Sequence, residues 1–251
     1  MLLHAERRGT GPTLVLVHGF TQTGNCWGPE AEALAADHEI VRVDAPGHGR
    51  SADIKVDLRT GGRLIADQGG EATYLGYSMG ARFCLHIALT NPELVRGLVL
   101  LGATAGIEDA DEREQRRQQD LATAARIERD GLETFLDDWL AQPLFSGLPP
   151  ERTFRQERLK NTVEGLQSSL ELAGTGAQEP SWHQLHRLHM PVLVVAGSND
   201  TKFAALADRL AAEIGANADF ALVEDAGHAA HLEQPERFLA IVQPWLADHG
   251  L

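Results

Sequence analysis

The chain has 251 residues, 43% of them hydrophobic, which is enough to bury one sizeable core as a single α/β domain. Its 22 Lys and Arg against 36 Asp and Glu give a formal net charge of −14, which argues against binding to nucleic acid or to anionic membranes. The two cysteines, Cys26 and Cys84, are too few for a disulfide scaffold, and neither a signal peptide nor a membrane-spanning run is visible, so the sequence predicts a cytoplasmic protein without membrane insertion.

Short runs rich in Val and Leu alternate along the chain with longer amphipathic stretches. The predicted strands are residues 13–17, 40–43, 73–75, 98–101, 192–196 and 220–223. The clearest predicted helices between them are residues 81–89 and 203–214. This alternation predicts an α/β fold with a mostly parallel sheet and helices on both faces.

One long segment interrupts the alternation. From about residue 104 to residue 182 there is no convincing strand, only charged helical pattern, as in 113–130, and turn residues. The change in composition predicts an all-helical cap, residues 105–182, inserted over one edge of the sheet. The core then consists of residues 1–104 and 183–251.

The strongest chemical signal is Gly76-Tyr77-Ser78-Met79-Gly80. It follows a predicted strand and opens a predicted helix, which is the context of a GxSxG nucleophile elbow. The glycines allow a sharp turn that leaves the serine hydroxyl exposed, and the helix directs its positive end at the site. An ordinary glycine-rich turn is the alternative, but the context favours Ser78 as a nucleophile.

A serine hydroxyl needs a base, and the base needs an orienting carboxylate. In the α/β-hydrolases, which this order of motifs resembles, the carboxylate and then the histidine follow the serine, each after a strand. Asp200 and His228 meet this condition. Asp225 competes as the carboxylate but lies only three residues before His228, and His231 competes as the base but falls in the following segment.

His18-Gly19-Phe20 directly follows the first predicted strand. In the α/β-hydrolase fold, the residue after such an HG pair and the residue after the nucleophile donate backbone N–H groups to an anion hole. These residues are Phe20 and Met79, and one such donor typically contributes about 10²–10³ in rate. The His18 side chain is expected to be structural, and residues 44–51 are expected to form a turn without a catalytic part.

Beyond the superfamily, seven segments together resemble the 2-succinyl-6-hydroxy-2,4-cyclohexadiene-1-carboxylate synthases of menaquinone biosynthesis. They are HGFTQTGNCW (18–27), DAPGHGRS (44–51), GYSMGAR (76–82), DWLAQPLF (138–145), GTGAQ (174–178), GSNDTKF (197–203) and AGHAAHLEQP (226–235). The first two occur widely among hydrolases, whereas the combination of the others is selective. The resemblance runs from the N-terminus to the last predicted helix and implies the α/β-hydrolase fold.

The resemblance implies a carbon–oxygen lyase that eliminates pyruvate from a small cyclohexene tricarboxylate, without a cofactor. Three arginines would then bind carboxylates: Arg82 one helical turn past the serine, Arg116 at the start of the cap and Arg158 in the R-x-x-N pattern of the cap. Trp139 and Phe145 would line the pocket. The alternatives are a structural ion pair for Arg82, a solvated helix face for Arg116 and Arg158, and packing within the cap for the aromatics.

Residue 171 departs from the family pattern. Many members have S-L-R before the GTG segment, whereas this chain has Ser169-Leu170-Glu171. A carboxylate is unexpected beside an anionic substrate, so either Glu171 points to solvent or the substrate differs from the family's. We expect the first.

Three histidines, His183, His186 and His189, recur at a spacing of three residues and raise the question of a metal site. They would not converge on one face of a helix, Pro191 ends any helix nearby, and no carboxylate or cysteine completes a ligand set. We therefore expect no bound metal.

Two other functions remain open from the sequence. The same triad serves carboxylesterases, thioesterases and C–C-bond hydrolases, which pass through an acyl-enzyme. A ligand-binding receptor on a hydrolase scaffold, with an unused triad, is the alternative of a different class. The sequence predicts no oligomeric state.

Overall fold

The computed structural model describes residues 1–251. It contains a seven-stranded sheet in the order β1-β3-β2-β4-β5-β6-β7. The strands are β1 (Ala5–Arg8), β2 (Thr13–Val17), β3 (Glu39–Val43), β4 (Ala72–Tyr77), β5 (Val95–Leu101), β6 (Val192–Gly197) and β7 (Ala218–Val223). All neighbouring strands pair in parallel except β1, which pairs antiparallel with β3. The predicted mostly parallel sheet is confirmed.

Ten α-helices accompany the sheet. They are α1 (Gly28–Leu34), α2 (Leu58–Gly69), α3 (Met79–Thr90), α4 (Ala110–Asp130), α5 (Leu132–Leu140), α6 (Arg155–Arg158), α7 (Val163–Ala173), α8 (Thr201–Ile214), α9 (Ala230–Glu233) and α10 (Pro235–Asp248). None of them is long and apolar enough to span a membrane.

Alternate residues of the strands pack into two separate apolar cores, one on each face of the sheet. Val15 and Val17 of β2 point to the core shared with α2, α3 and α8. Leu14 and Leu16 of the same strand point to the core shared with α1, α9 and α10. This follows from the two-residue period of a strand and gives both faces of the sheet a helical layer.

The four helices α4–α7 lie between β5 and β6 in the chain, and no strand interrupts them. Three of them, α4, α5 and α7, share a small apolar core, in which Ile127 of α4 packs with Phe135 of α5 and Leu166 of α7. The segment is thus helical, as its charged pattern indicated. The boundaries 105–182 for the cap stay a prediction.

Candidate active site

The turn between β4 and α3 holds Ser78 in an unusual backbone conformation, with φ 52° and ψ −106°. Two glycines make this turn possible. A Cβ on Gly76 would lie 2.5 Å from the backbone of Gly80, and a Cβ on Gly80 would lie 2.0 Å from the carbonyl oxygen of Val17. A non-glycine residue at positive φ is costly and persists only where the surroundings enforce it. The elbow therefore presents Ser78 at the carboxyl end of the sheet.

Ser78, His228 and Asp200 form a continuous hydrogen-bonded chain. His228 Nε2 lies 3.1 Å from Ser78 Oγ, and His228 Nδ1 lies 2.8 Å from Asp200 Oδ2. Asp200 also caps α8 by accepting from the Phe203 N–H at 3.2 Å. Burial alone would raise the pKa of Asp200, but its hydrogen bond to His228 and the charge of that ring hold the pKa below its ordinary value. The carboxylate is thus ionised when it orients the imidazole.

The two competing residues lie elsewhere. Asp225 is exposed and forms an ion pair with Arg237 at 2.6 Å. His231 is buried, with its ring 4.5 Å from the ring of Tyr77 and 4.7 Å from that of Trp27, centroid to centroid. Burial lowers the pKa of His231 to about 3, so the ring is neutral near pH 7.

The backbone N–H groups of Phe20 and Met79 have no hydrogen-bond acceptor in the structure. Met79 is the first residue of α3, so its N–H has no partner within the helix. The N–H of Phe20, in the loop after β2, makes no backbone hydrogen bond. Both residues line the same cavity as Ser78. Both residues therefore bring a backbone donor without an acceptor to the cavity that Ser78 lines.

A cavity of about 870 Å³ opens above the triad, between the sheet and the helices α4, α5 and α7. Eight of the ten predicted site residues line it, and these are Phe20, Ser78, Met79, Arg82, Arg116, Trp139, Asp200 and His228. Arg158 and Phe145 do not. The cavity is large enough for a small-molecule ligand.

Arg82 lines the cavity from α3. Its Nη1 donates to the carbonyl oxygen of Ala173 at 2.8 Å and to Gln178 Oε1 at 3.3 Å. Burial, together with the nearby charge of Arg116, lowers the pKa of Arg82 to about 10. The guanidinium stays charged near pH 7 and has no carboxylate partner, so it is available to an anionic ligand.

Arg116 lines the cavity from α4 with its side chain 38% exposed. Its Nε donates to Oδ1 of the buried Asp120 at 2.8 Å. Asp120 Oδ2 in turn accepts from the Gly176 N–H at 3.0 Å. A Cβ on Gly176 would lie 2.2 Å from the backbone nitrogen of Arg117, so the GTG segment needs a glycine to reach α4. This contact fixes the direction of the Arg116 guanidinium.

The two predicted residues outside the cavity wall have other contacts. Phe145 is buried behind Trp139, with 6.0 Å between the ring centroids. Arg158 is 1% exposed and donates from Nε to the carbonyl oxygen of Thr153 at 2.7 Å and from Nη1 to Thr21 Oγ1. The short helix α6 turns this side chain toward the loop after β2, away from the cavity.

Two cationic residues of the cavity wall were not singled out from the sequence. Lys202 is exposed, lines the cavity and has no carboxylate within ion-pair distance. It lies two residues after Asp200, in the D-x-K-F motif, and that position was the signal available. Arg209 also lines the cavity, but it is paired with Glu108 at 2.7 Å and stacks 3.8 Å above the Trp182 ring.

Glu171, which departs from the family pattern, and the three histidines considered as metal ligands all lie on the surface. Glu171 is exposed on α7 and is not part of the cavity wall, so it points to solvent. His183, His186 and His189 are exposed as well, on and just after the 3₁₀ helix that precedes β6.

The chain is similar to known proteins over most of its length. The model of the alpha/beta hydrolase family matches residues 14–241. The 2-succinyl-6-hydroxy-2,4-cyclohexadiene-1-carboxylate synthase of Klebsiella pneumoniae is 33% identical over 94% of this chain and 94% of its own length. The synthase of the same name from Photorhabdus laumondii is 32% identical over 94% of this chain and 86% of its own length.

Two solved structures are similar over nearly the whole chain. MenH from S. aureus superposes with a TM-score of 0.92, is 28% identical, and the match covers 99% of each chain. A thermophilic esterase from Thermogutta terrifontis, in a malate-bound structure, has a TM-score of 0.85 and is 25% identical, with 98% of this chain and 93% of that chain covered. The chain therefore belongs to the alpha/beta hydrolase family and, within it, to the 2-succinyl-6-hydroxy-2,4-cyclohexadiene-1-carboxylate synthases.

Proposed function

We propose that the chain is a carbon–oxygen lyase that eliminates pyruvate from 2-succinyl-5-enolpyruvyl-6-hydroxy-3-cyclohexene-1-carboxylate. The products are pyruvate and 2-succinyl-6-hydroxy-2,4-cyclohexadiene-1-carboxylate. One observation carries the proposal: a hydrogen-bonded Ser-His-Asp chain opens on a cavity whose wall also carries Arg82, a buried cation without a carboxylate partner. In a protein of net charge −14, such a cation favours a polyanionic ligand bound beside the serine.

The reaction is a 1,4-elimination that consumes no water. The proton at ring C2 is acidic because it lies next to the succinyl ketone. Its removal lets C2=C3 form while the C3=C4 double bond moves to C4–C5, and the C5–O bond breaks. The leaving enolpyruvate takes up a proton at carbon and becomes pyruvate. No electron carrier is needed, so the proposal includes no cofactor.

The triad supplies the base for this reaction. Asp200 holds the His228 imidazole with Nε2 toward Ser78. The imidazole takes the hydroxyl proton of Ser78 while the serine oxygen takes the proton from C2 of the cyclohexene ring. The charge that develops on the ketone oxygen is stabilised by the Phe20 and Met79 N–H groups, which have no other hydrogen-bond acceptor. Ser78 acts as part of a base and forms no acyl-enzyme.

Substrate recognition depends on cations of the cavity wall. Arg82 and Arg116 each direct a guanidinium that can bind a carboxylate through two N–H groups. Lys202 adds a third positive charge, on the side of the cavity next to the triad carboxylate. The rings of Phe20 and Trp139, 5.3 Å apart, provide an apolar wall for the cyclohexene ring.

Hydrolysis of an ester is the second candidate, because the same Ser78–His228 distance of 3.1 Å suits a nucleophilic serine. The structural similarity to an esterase points the same way. A hydrolase would show an acyl-enzyme burst with a p-nitrophenyl ester. The lyase requires polycarboxylate turnover that exceeds any ester turnover by orders of magnitude.

The test is incubation of the purified protein with the cyclohexene tricarboxylate and continuous measurement of pyruvate. The proposal predicts pyruvate and diene in equal amounts, and no reaction with Ser78→Ala, whose fold is checked by circular dichroism. Absence of pyruvate from the wild-type reaction, with rapid turnover of simple esters, would reject the lyase in favour of the hydrolase.

A further inference from the structure

The loop after β2 is held in place by side chains that satisfy its backbone groups one by one. Residues 18–23 contain no regular hydrogen-bonding pattern. Gln22 Oε1 accepts from the Gly19 N–H at 3.0 Å, and His18 Nδ1 lies 2.8 Å from the Gly19 carbonyl oxygen. The same His18 ring accepts from the Ala45 N–H at 3.0 Å through Nε2. Burial lowers the pKa of His18 to about 4, so the ring is neutral and serves as donor on one side and acceptor on the other.

Thr21 is the strained point of this loop. Its φ is 67°, in the left-handed region that residues other than glycine rarely adopt. Its N–H donates to His48 Nε2 at 3.3 Å, and His48 Nδ1 lies 3.0 Å from the carbonyl oxygen of Pro46. A conformation of this kind persists only while the surrounding contacts hold it.

The remaining contacts of Thr21 come from the insertion between β5 and β6. Arg158 Nη1 donates to Thr21 Oγ1 and, at 3.5 Å, to the carbonyl oxygen of Phe20. Asn161 Nδ2 donates to the carbonyl oxygen of Thr21 at 2.6 Å. Asn161 Oδ1 also accepts from the Gly49 N–H at 2.8 Å, which joins the same residue to the turn after β3. Arg158 and Asn161 are 1% and 5% exposed, so these contacts are shielded from water.

The Phe20 N–H is a backbone donor of this loop that has no hydrogen-bond partner, and it lies on the residue that lines the cavity. The carbonyl group of the same residue and both backbone groups of Thr21 are engaged. We infer that Arg158 and Asn161 are positioning residues, which fix the loop so that the Phe20 N–H points at the anion formed beside Ser78. This inference rests on the anion hole of the proposed function and assigns Arg158 a task other than binding a substrate carboxylate.

The placement of Arg158 supports positioning over substrate binding. Its guanidinium lies outside the cavity wall, and the loop accepts its hydrogen bonds. Replacing Arg158 or Asn161 by alanine is expected to leave Ser78 and the carboxylate-binding cations in place, whereas the Phe20 N–H moves. A shift of about 1 Å in such a group can cost about 10²-fold in rate.

A probe without carboxylates distinguishes positioning of the loop from binding of a substrate carboxylate. A small neutral alkyl fluorophosphonate reacts with an activated serine: Ser78 Oγ forms a bond to phosphorus, fluoride leaves, and the Ser78 proton passes to His228. Negative charge develops on the phosphoryl oxygen, and the anion-hole N–H groups stabilise it. A carboxylate-binding arginine would not affect this reaction. The measurement is the second-order rate constant of Ser78 labelling, followed by mass spectrometry.

We expect Arg158→Ala and Asn161→Ala to label about 10- to 100-fold more slowly than wild type, because the Phe20 N–H is displaced and not removed, and complete loss of an anion-hole donor costs about 10²–10³. Arg158→Lys, which keeps the charge and one donor, should fall between. Arg155→Ala is the matched control: it lies one turn earlier in α6, pairs with Glu133 and Asp137, and should label at the wild-type rate.

With the polycarboxylate substrate, the two positioning variants should lower kcat far more than they raise KM. Wild-type labelling rates in folded Arg158→Lys and Asn161→Ala would overturn the inference even if Arg158→Ala proved unstable. A raised KM for the polycarboxylate at an unchanged labelling rate would overturn it too, because that result is expected if Arg158 binds a substrate carboxylate. Failure of wild-type Ser78 to label at all would instead reject the proposed triad chemistry, and the inference with it.

Discussion

At the scale of single residues, the charge state of the site is set by burial and by hydrogen-bond partners. Asp200 is ionised because His228 offsets the cost of its burial, and Arg82 stays cationic although burial lowers its pKa to about 10. The Asp200 carboxylate, which orients His228, and the Arg82 guanidinium, which has no carboxylate partner, thus line the same cavity. Substitutions that remove charge without changing shape should separate their contributions.

Asp200→Asn should lower kcat by about 10³- to 10⁴-fold with little change in KM. An amide favours the wrong tautomer of His228 and does not stabilise the imidazolium, which is the known behaviour of the serine-protease triad. Steady-state kinetics of pyruvate release measures this. Asp225→Asn is the control, because Asp225 is exposed and pairs with Arg237, and it should behave as wild type. A larger loss for Asp225→Asn than for Asp200→Asn would reverse the assignment.

Arg82→Ala should reduce kcat/KM for the tricarboxylate by roughly 1.5–3 kcal/mol in transition-state free energy, the typical contribution of a charge-assisted hydrogen bond. Arg82→Lys should recover part of this loss, because lysine keeps the charge and loses the forked geometry. Arg117→Ala is the control, since Arg117 is exposed next to Arg116 but does not line the cavity. Equal kinetics for Arg82→Ala and Arg117→Ala would argue against a polyanion site.

The sequence predicts Ser78, Asp200 and His228 as a group because chemistry restricts both their types and their order along the chain, and the structure places His228 within hydrogen-bond distance of both Ser78 and Asp200. Phe20 and Met79 are predicted from the same pattern, because a backbone N–H donor is specified by its position in the chain and not by its side chain. Arg158 is different: a motif gives its place in the chain, whereas the direction of its side chain depends on how the single turn of α6 meets the loop at Thr21. Lys202 lies in the D-x-K-F motif, but the motif alone does not show that this lysine lines the cavity, which only the structure reveals.

At the scale of elements, the site depends on how closely α3 and β2 approach. Gly80 is the contact point, and its missing side chain lets the helix N-terminus lie against the carbonyl oxygen of Val17. The central strands were predictable because they are buried on both faces and rich in Val and Leu. β1 was not predicted, since Ala5-Glu6-Arg7-Arg8 is a polar edge strand that has no apolar run.

Gly80→Ala should therefore destabilise the protein by about 3 kcal/mol and reduce the activity of the remaining folded fraction, because a Cβ 2.0 Å from a backbone oxygen forces α3 away from β2. Urea denaturation measures the change. Gly62→Ala is the matched control in α2, where the Cβ would come no closer than 3.2 Å to the His86 ring and 3.5 Å to the Ile87 side chain. Because alanine favours helices, that variant should stay within about 1 kcal/mol of wild type. Equal stabilities would contradict the proposed close contact.

At the scale of the whole molecule, three histidines couple folding to pH. His18, His48 and His231 are buried, and burial lowers their pKa values to about 4, about 3 and about 3 from an ordinary value of 6.5. Below about pH 6.5 the unfolded chain binds protons at these sites and the folded chain does not. The free energy of unfolding should therefore fall as the pH drops from about 6.5 toward 4.

We expect a loss of about 1 kcal/mol per pH unit for each buried histidine in this window. Urea denaturation at pH 7, 6 and 5 measures the slope. His48→Gln removes one of the three histidines and should lower the slope by about a third, whereas His186→Gln, at an exposed position, should leave it unchanged. A free energy of unfolding that is constant between pH 7 and pH 5 would show that these rings are not kept neutral by the fold.

The central claim is that hydrolase-type machinery carries out an elimination without water. Its most direct test is the reaction of the purified protein with the cyclohexene tricarboxylate in H₂¹⁸O, with mass spectrometry of both products. The account predicts one pyruvate per diene and no ¹⁸O in the carboxylates of either product. Incorporation of ¹⁸O into a product carboxylate would show acyl transfer to water through Ser78, and would contradict the lyase.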